Sequence, residues 1–182
     1  MLEKLETTPS TKSVVIVTVI SLFSFLLIFV IFRVLSSMAS SPYDIISFEF
    51  AMTVERASEI LNDWKQSDRL QLEIFSALLD YAYMIAYSFL LAGLVLLLAR
   101  GVEGRLHKTG LWFVPLPFIA AIFDAVENIN LLMMMFSPTD FLALNPLIAS
   151  ICATVKFTLI IISIIWVVIT AVVAGYQKYL KK

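Results

Sequence analysis

The chain has 182 residues, of which 60% are apolar and 15% charged, and its formal net charge is -1. Its mean hydropathy is +0.94, and soluble domains carry about 25% charged residues, so a water-soluble globule is excluded and a lipid environment is the natural solvent. The missing basic excess excludes a nucleic-acid partner; a lone cysteine, Cys152, and a lone histidine, His107, exclude an internal disulfide framework and a His-rich metal site.

A membrane helix needs about 20 mainly apolar residues, and four stretches provide them. The first is Ser13–Leu35, uncharged until Arg33. Ser37-Met38-Ala39 resembles a small-residue cleavage site, but the apolar run exceeds the usual 7–15 or so residues of a signal peptide. Span one is therefore expected to stay as an uncleaved anchor. In the segment that follows, Val54, Ala57, Ile60, Leu61 and Trp64 recur at helical spacing, with Glu55, Glu59, Asp63 and Lys65 between them. Thr53 suits an N-cap, and Glu55 complements the positive end of the helix dipole. The pattern predicts a short amphipathic outer helix over Val54–Lys65, lying on the membrane surface or over the mouth of the bundle. A connector that shields helix ends is favoured over a lid or docking surface, because amphipathicity alone marks only an interface.

Span two is Ile74–Ala99, interrupted only by Asp80 and closed by Arg100 and Gly101. Span three is Leu111–Phe136, with Pro115 and Pro117 in its first turns, where the missing N–H costs little. It carries Asp124 and Glu127. Span four is Leu147–Gly175, preceded by Asn145-Pro146 as N-cap and first helical residue, and it carries Lys156. The fold class is an all-α, four-helix transmembrane bundle, one integral membrane domain over 1–182.

Lys4 and Lys12, then Arg100, Arg105 and Lys108, then Lys178, Lys181 and Lys182 fall on one side if the chain crosses four times, while Ser137–Pro146 holds no Lys or Arg. The positive-inside rule places both termini in the cytoplasm of a cell (plasma) membrane. Tyr176 and Tyr179 suit the interfacial aromatic belt. His107 falls in the cytoplasmic loop, where a solvated role is expected.

The polar groups inside the spans carry most of the information. An ionisable group at the bilayer centre costs about 2.5–3.5 kcal/mol on insertion scales, so Asp80, Asp124, Glu127 and Lys156 are expected to face inward and satisfy one another. Asp124, Glu127 and Asn128 fall at i, i+3 and i+4 and share a helix face. Ser76, Asp80, Tyr83 and Tyr87 run down one face of span two. Ala149 and Ala153 share a stripe with Lys156, and small residues let helices approach closely. At a rise of about 1.5 Å per residue, Lys156 and Glu127 lie at similar depths, about 13–14 Å below the outer helix ends. They form the first-choice pair, and Asp80 or Asp124 is the runner-up to Glu127 as the partner of Lys156. The candidate binding or relay residues are Asp80, Tyr83, Tyr87, Asp124, Glu127, Asn128 and Lys156. The sequence identifies no catalytic residues and leaves enzymatic activity open, and no metal or cofactor is expected.

Phe48-Glu49-Phe50-Ala51-Met52-Thr53-Val54-Glu55-Arg56-Ala57, then Trp64, Leu79-Asp80-Tyr81 with Tyr87, and Phe123-Asp124-Ala125-Val126-Glu127-Asn128 together resemble uncharacterised small four-span integral membrane proteins of prokaryotes. The resemblance covers roughly residues 45–170. The family pattern has proline after the threonine, where this chain has Val54. The resemblance implies the same layout with an outer connecting helix, and it brings no activity, cofactor or partner.

Three functions fit these observations. The leading one is a non-enzymatic interaction or accessory membrane protein, with membrane lipids and a second copy or a partner membrane protein as its neighbours. The second is a binder or converter of a lipid-like molecule, its polar head held by Asp80, Glu127 and Lys156. The third is a small proton- or cation-coupled transporter, ranked last because no span has a mid-membrane Gly-Pro break.

Overall fold

The computed structural model describes residues 2–38 and 40–180. Ala39, Lys181 and Lys182 lie outside the described residues, as do the side chains of Lys178 and Tyr179. The protein is all-α: it is 83% helical, with no strand among the described residues. Four helical stretches are long and apolar enough to cross a membrane, Thr11–Ser37, Leu70–Gly101, Gly104–Phe136 and Asn145–Gln177. They make a four-helix transmembrane bundle.

Local chemistry explains where each element begins and ends. After a 3-10 turn at Leu2–Glu6, α1 (Thr11–Ser37) starts where the Ser10 hydroxyl accepts from the Ser13 amide. Helix α2 (Ile45–Glu49) is five residues long, and its N-cap Asp44 accepts from both the amide and the hydroxyl of Ser47. The Ser47 hydroxyl holds the Asp44 carboxyl below its ordinary value. Helix α3 (Val54–Gln66) is capped by Thr53, which accepts from the Arg56 amide at 3.3 Å. Asp68 takes a left-handed φ of 56° and turns the chain into α4 (Leu70–Gly101).

The third apolar stretch is divided. Helix α5 (Gly104–Phe113) occupies what the sequence reads as a cationic loop and the start of span three, and α6 (Leu116–Phe136) follows. Pro115 sits between them, and its missing N–H removes a rung from the helical ladder. Helix α7 (Asn145–Leu180) is the longest, at 36 residues. Large apolar side chains are exposed along α1 (Ile20, Phe23, Leu27) and α7 (Ile165, Val168, Val172), as a lipid-facing surface requires.

The chain forms two compact units. One comprises Met1–Phe25, Ile85–Ala121 and Phe157–Lys182. Its core is built on Val14, Val95, Leu96, Ala99, Leu111 and Trp166. Gly93 of α4 lies so close to α1 that a Cβ there would stand 2.0 Å from Thr18 Oγ1. Arg100 donates to the backbone oxygens of Leu5 and Pro9, at 2.7–2.9 Å, tying the N-terminal segment to the end of α4. His107, read from sequence as solvated, is instead tied in place, with Nδ1 2.8 Å from the Ala99 carbonyl and Nε2 3.2 Å from Glu6.

The other unit comprises Leu26–Met84 and Ile122–Lys156. Its core joins Phe48, Ile60, Leu61 and Trp64 of the segment between α1 and α4 to Ile74, Leu131, Met134 and Ala149 of α4, α6 and α7. Ala57, Ile60, Leu61 and Trp64 are completely buried. The apolar face of α3 is thus spent on the bundle and not on a membrane surface. Ile60 and Leu61 each contribute about 1.5–3 kcal/mol of transfer free energy. The segment is also cross-braced: Trp64 Nε1 donates to the Tyr43 carbonyl at 3.0 Å, Trp64 stands edge-on to Phe48, and Tyr43 donates to Glu59.

Candidate functional site

The charged groups of this second unit converge on one ammonium. Asp124, Glu127 and Asn128 stand on the inward face of α6 because helical spacing stacks i, i+3 and i+4. Across from them, Ala149 and Ala153 of α7 are completely buried, and these small side chains admit the close approach that lets Lys156 reach α6. Lys156 Nζ donates to Glu127 Oε1 at 2.9 Å and to Asp124 Oδ1 at 3.0 Å. Lys156 is 5% exposed, Asp124 3% and Glu127 0%.

A third carboxylate, which the sequence reading did not include among the site residues, completes the cluster. Glu49, the last residue of α2, places Oε1 3.5 Å from Lys156 Nζ and is itself buried. It is held there by Ser150, whose hydroxyl donates to the Glu49 carbonyl at 2.7 Å and accepts from the Met52 amide at 3.0 Å. Met52 adopts a left-handed φ of 59° to make that contact, a conformation that costs a side-chain-bearing residue roughly 1–2 kcal/mol. Burial pushes the Glu49 carboxyl above its ordinary value; the Lys156 ammonium opposes this and Asp124 reinforces it. The one sequence signal for Glu49 was an acid set between Phe48 and Phe50 in an otherwise apolar run.

Asp80 of α4 is half-buried and accepts from Asn128 Nδ2 at 2.6 Å. Asp80, Asp124, Glu127, Asn128 and Lys156 therefore belong to one polar group within this unit. Tyr83 stands edge-on to Phe32 of α1, with ring centroids 5.3 Å apart. Tyr87 is buried but belongs to the other unit.

The arrangement is an ion cluster with short, internal contacts. Among the described residues, no group of three or more His, Cys, Asp or Glu side chains is arranged to hold a metal ion. Cys152 is buried one turn before Lys156, and His107 lies in the other unit. No known protein family, curated protein or solved structure matches the chain.

Proposed function

We propose that this chain is a non-enzymatic membrane protein, an interaction or accessory subunit that works as a homo-oligomer or beside a partner membrane protein, in contact with membrane lipids. It resides in the cell membrane with both termini in the cytoplasm. In this reading the Glu49–Asp124–Glu127–Lys156 cluster holds the segment between α1 and α4 onto the bundle and performs no chemistry. One observation carries it: the Lys156 ammonium is engaged by three carboxylates of its own chain, two of them at hydrogen-bonding distance, which leaves it poorly placed to grip a ligand's head group.

A second reading, a binder of a lipid-like molecule, is favoured by a feature at other residues. The first unit holds an apolar crevice of about 260 Å³, lined among others by Val14, Val17, Phe89, Ala92, Leu96 and Phe118. That is slightly below the range of roughly 300–1,000 Å³ typical of ligand pockets and suits a single acyl chain.

Native mass spectrometry of the gently extracted protein, with lipidomics of what it carries, separates the two. A bare homo-oligomer or a stoichiometric co-purifying membrane protein supports the accessory reading. A stoichiometric small molecule retained by the wild type, and lost when the crevice is filled by Ala92→Phe, overturns it in favour of the binder.

A further inference from the structure

We propose that Glu49 and Glu127 hold one proton in common, and that this proton latches the segment between α1 and α4 to the bundle in a pH-dependent way. The proposal deepens the reading of the cluster as a stitch and rests on it.

Each of the two carboxyl groups turns one oxygen, Oε1, to Lys156. Their second oxygens, Glu49 Oε2 and Glu127 Oε2, are both buried and without a hydrogen-bond partner. A buried acceptor left unmatched costs about 1–3 kcal/mol, and such atoms call for a specific explanation. Both carboxyls converge on the same ammonium, with Glu127 Oε1 2.9 Å and Glu49 Oε1 3.5 Å from Lys156 Nζ. Two carboxylates are acceptors only, so facing each other they repel; one proton turns one of them into a donor and satisfies both.

The charges around the pair require the same. Lys156 of α7 supplies the one positive charge. Against it stand Asp124 beside Glu127 on α6, Asp80 on α4 and Glu49 on α2; Cys152 of α7 and Tyr81 and Tyr83 of α4 are further titratable neighbours of these groups. Glu49, Asp124 and Glu127 alone leave two surplus negative charges over Lys156, and a shared proton removes one of them. Burial of Glu49 acts in the same direction.

The latch follows from where Glu49 sits. It ends α2, and its neighbours run directly into Met52 and the N-cap of α3. The docked state holds a proton that the undocked segment, with Glu49 in water, releases. Stability therefore falls as pH rises from the ordinary glutamate range through the raised titration of Glu49, and the loss is complete above it.

The test uses the full chain in lipid nanodiscs. Hydrogen exchange across residues 45–66, corrected for the intrinsic pH dependence of exchange, is followed from about pH 6 to about pH 10, where one linked proton raises the opening equilibrium up to about tenfold per pH unit. Glu49→Gln replaces the shared proton with a fixed amide donor, and its opening is expected to be flat over the same range. Infrared difference spectra at neutral pH are expected to show a protonated-carboxyl band in the wild type that is lost in Glu49→Gln. Parallel pH dependence in wild type and Glu49→Gln overturns the latch. A band that survives unchanged in Glu49→Gln and Glu127→Gln overturns the shared proton while leaving the stitch intact. If Glu127→Gln fails to fold, Glu49→Gln, outside the spans, carries both readouts.

Discussion

Removing Lys156 is the sharpest perturbation of this protein. Lys156→Met preserves most of the side chain's length and apolar stem but deletes the only positive charge in a group of buried carboxyls. Asp124 at 3.0 Å, Glu127 at 2.9 Å and Glu49 at 3.5 Å lose their counter-charge together. Breaking a buried ion pair by taking one partner typically costs about 3–5 kcal/mol, and here the partner is shared three ways, so the upper part of that range is expected. For a chain of this length that corresponds to a fall in Tm of roughly 8–20 °C. Thermal unfolding in nanodiscs, followed by tryptophan emission, measures it, because Trp64 is completely buried beside the segment that Glu49 anchors. Adding Glu49→Gln to Lys156→Met should recover part of the loss, since it removes a stranded negative charge; contacting residues are coupled and do not add. A Lys156→Met protein that melts within about 1 kcal/mol of wild type would refute the argument.

Two further outcomes follow from single contacts. Ser150→Ala removes both the donor to the Glu49 carbonyl and the acceptor for the strained Met52 amide; it should destabilise by about 1–3 kcal/mol, with the added hydrogen exchange concentrated in residues 45–53. Gly93→Ala drives a methyl group into Thr18 Oγ1, whose hydroxyl is already committed to the Val14 carbonyl at 2.8 Å; a loss of about 1–3 kcal/mol is expected, and Thr18→Ala in the same chain should restore most of it in the same melting assay.

The four long helices could be read from sequence because lipid imposes a length and an apolarity that few other constraints mimic. The shared face of Asp124, Glu127 and Asn128 was legible for a local reason: helical spacing fixes it whatever the neighbours do. Glu49 was not legible. Its position depends on a left-handed Met52 and on Ser150, 101 residues further along the chain, and neither is encoded in spacing. The same limit explains α5, where charges signalled a loop but Gly110 packs beneath the Trp166 ring, 2.5 Å from where a Cβ would stand. Tyr83 and Tyr87 share a register on α4, yet register alone does not say that Tyr83 meets Phe32 of α1.

The cluster's charge and its shape are separable, and that separation decides between a stitch and a relay. Replacing Glu49, Asp80, Asp124 and Glu127 with Gln, Asn, Asn and Gln, together with Lys156→Met, removes every charge from the group while keeping its volume and several hydrogen-bonding atoms. Buried ion groups swapped for uncharged side chains of similar size are often neutral in stability, or gain about 1–4 kcal/mol. If the cluster only holds α2 against α6 and α7, the neutral protein should fold, keep its oligomeric state and protect residues 45–66 from exchange about as well as wild type, while Lys156→Met alone does not. A relay makes the opposite demand, because a proton or cation can move only through groups that change charge. Proton flux in proteoliposomes that is present in the wild type and absent from the folded neutral variant would show that the charges are used, and the accessory reading would then fail.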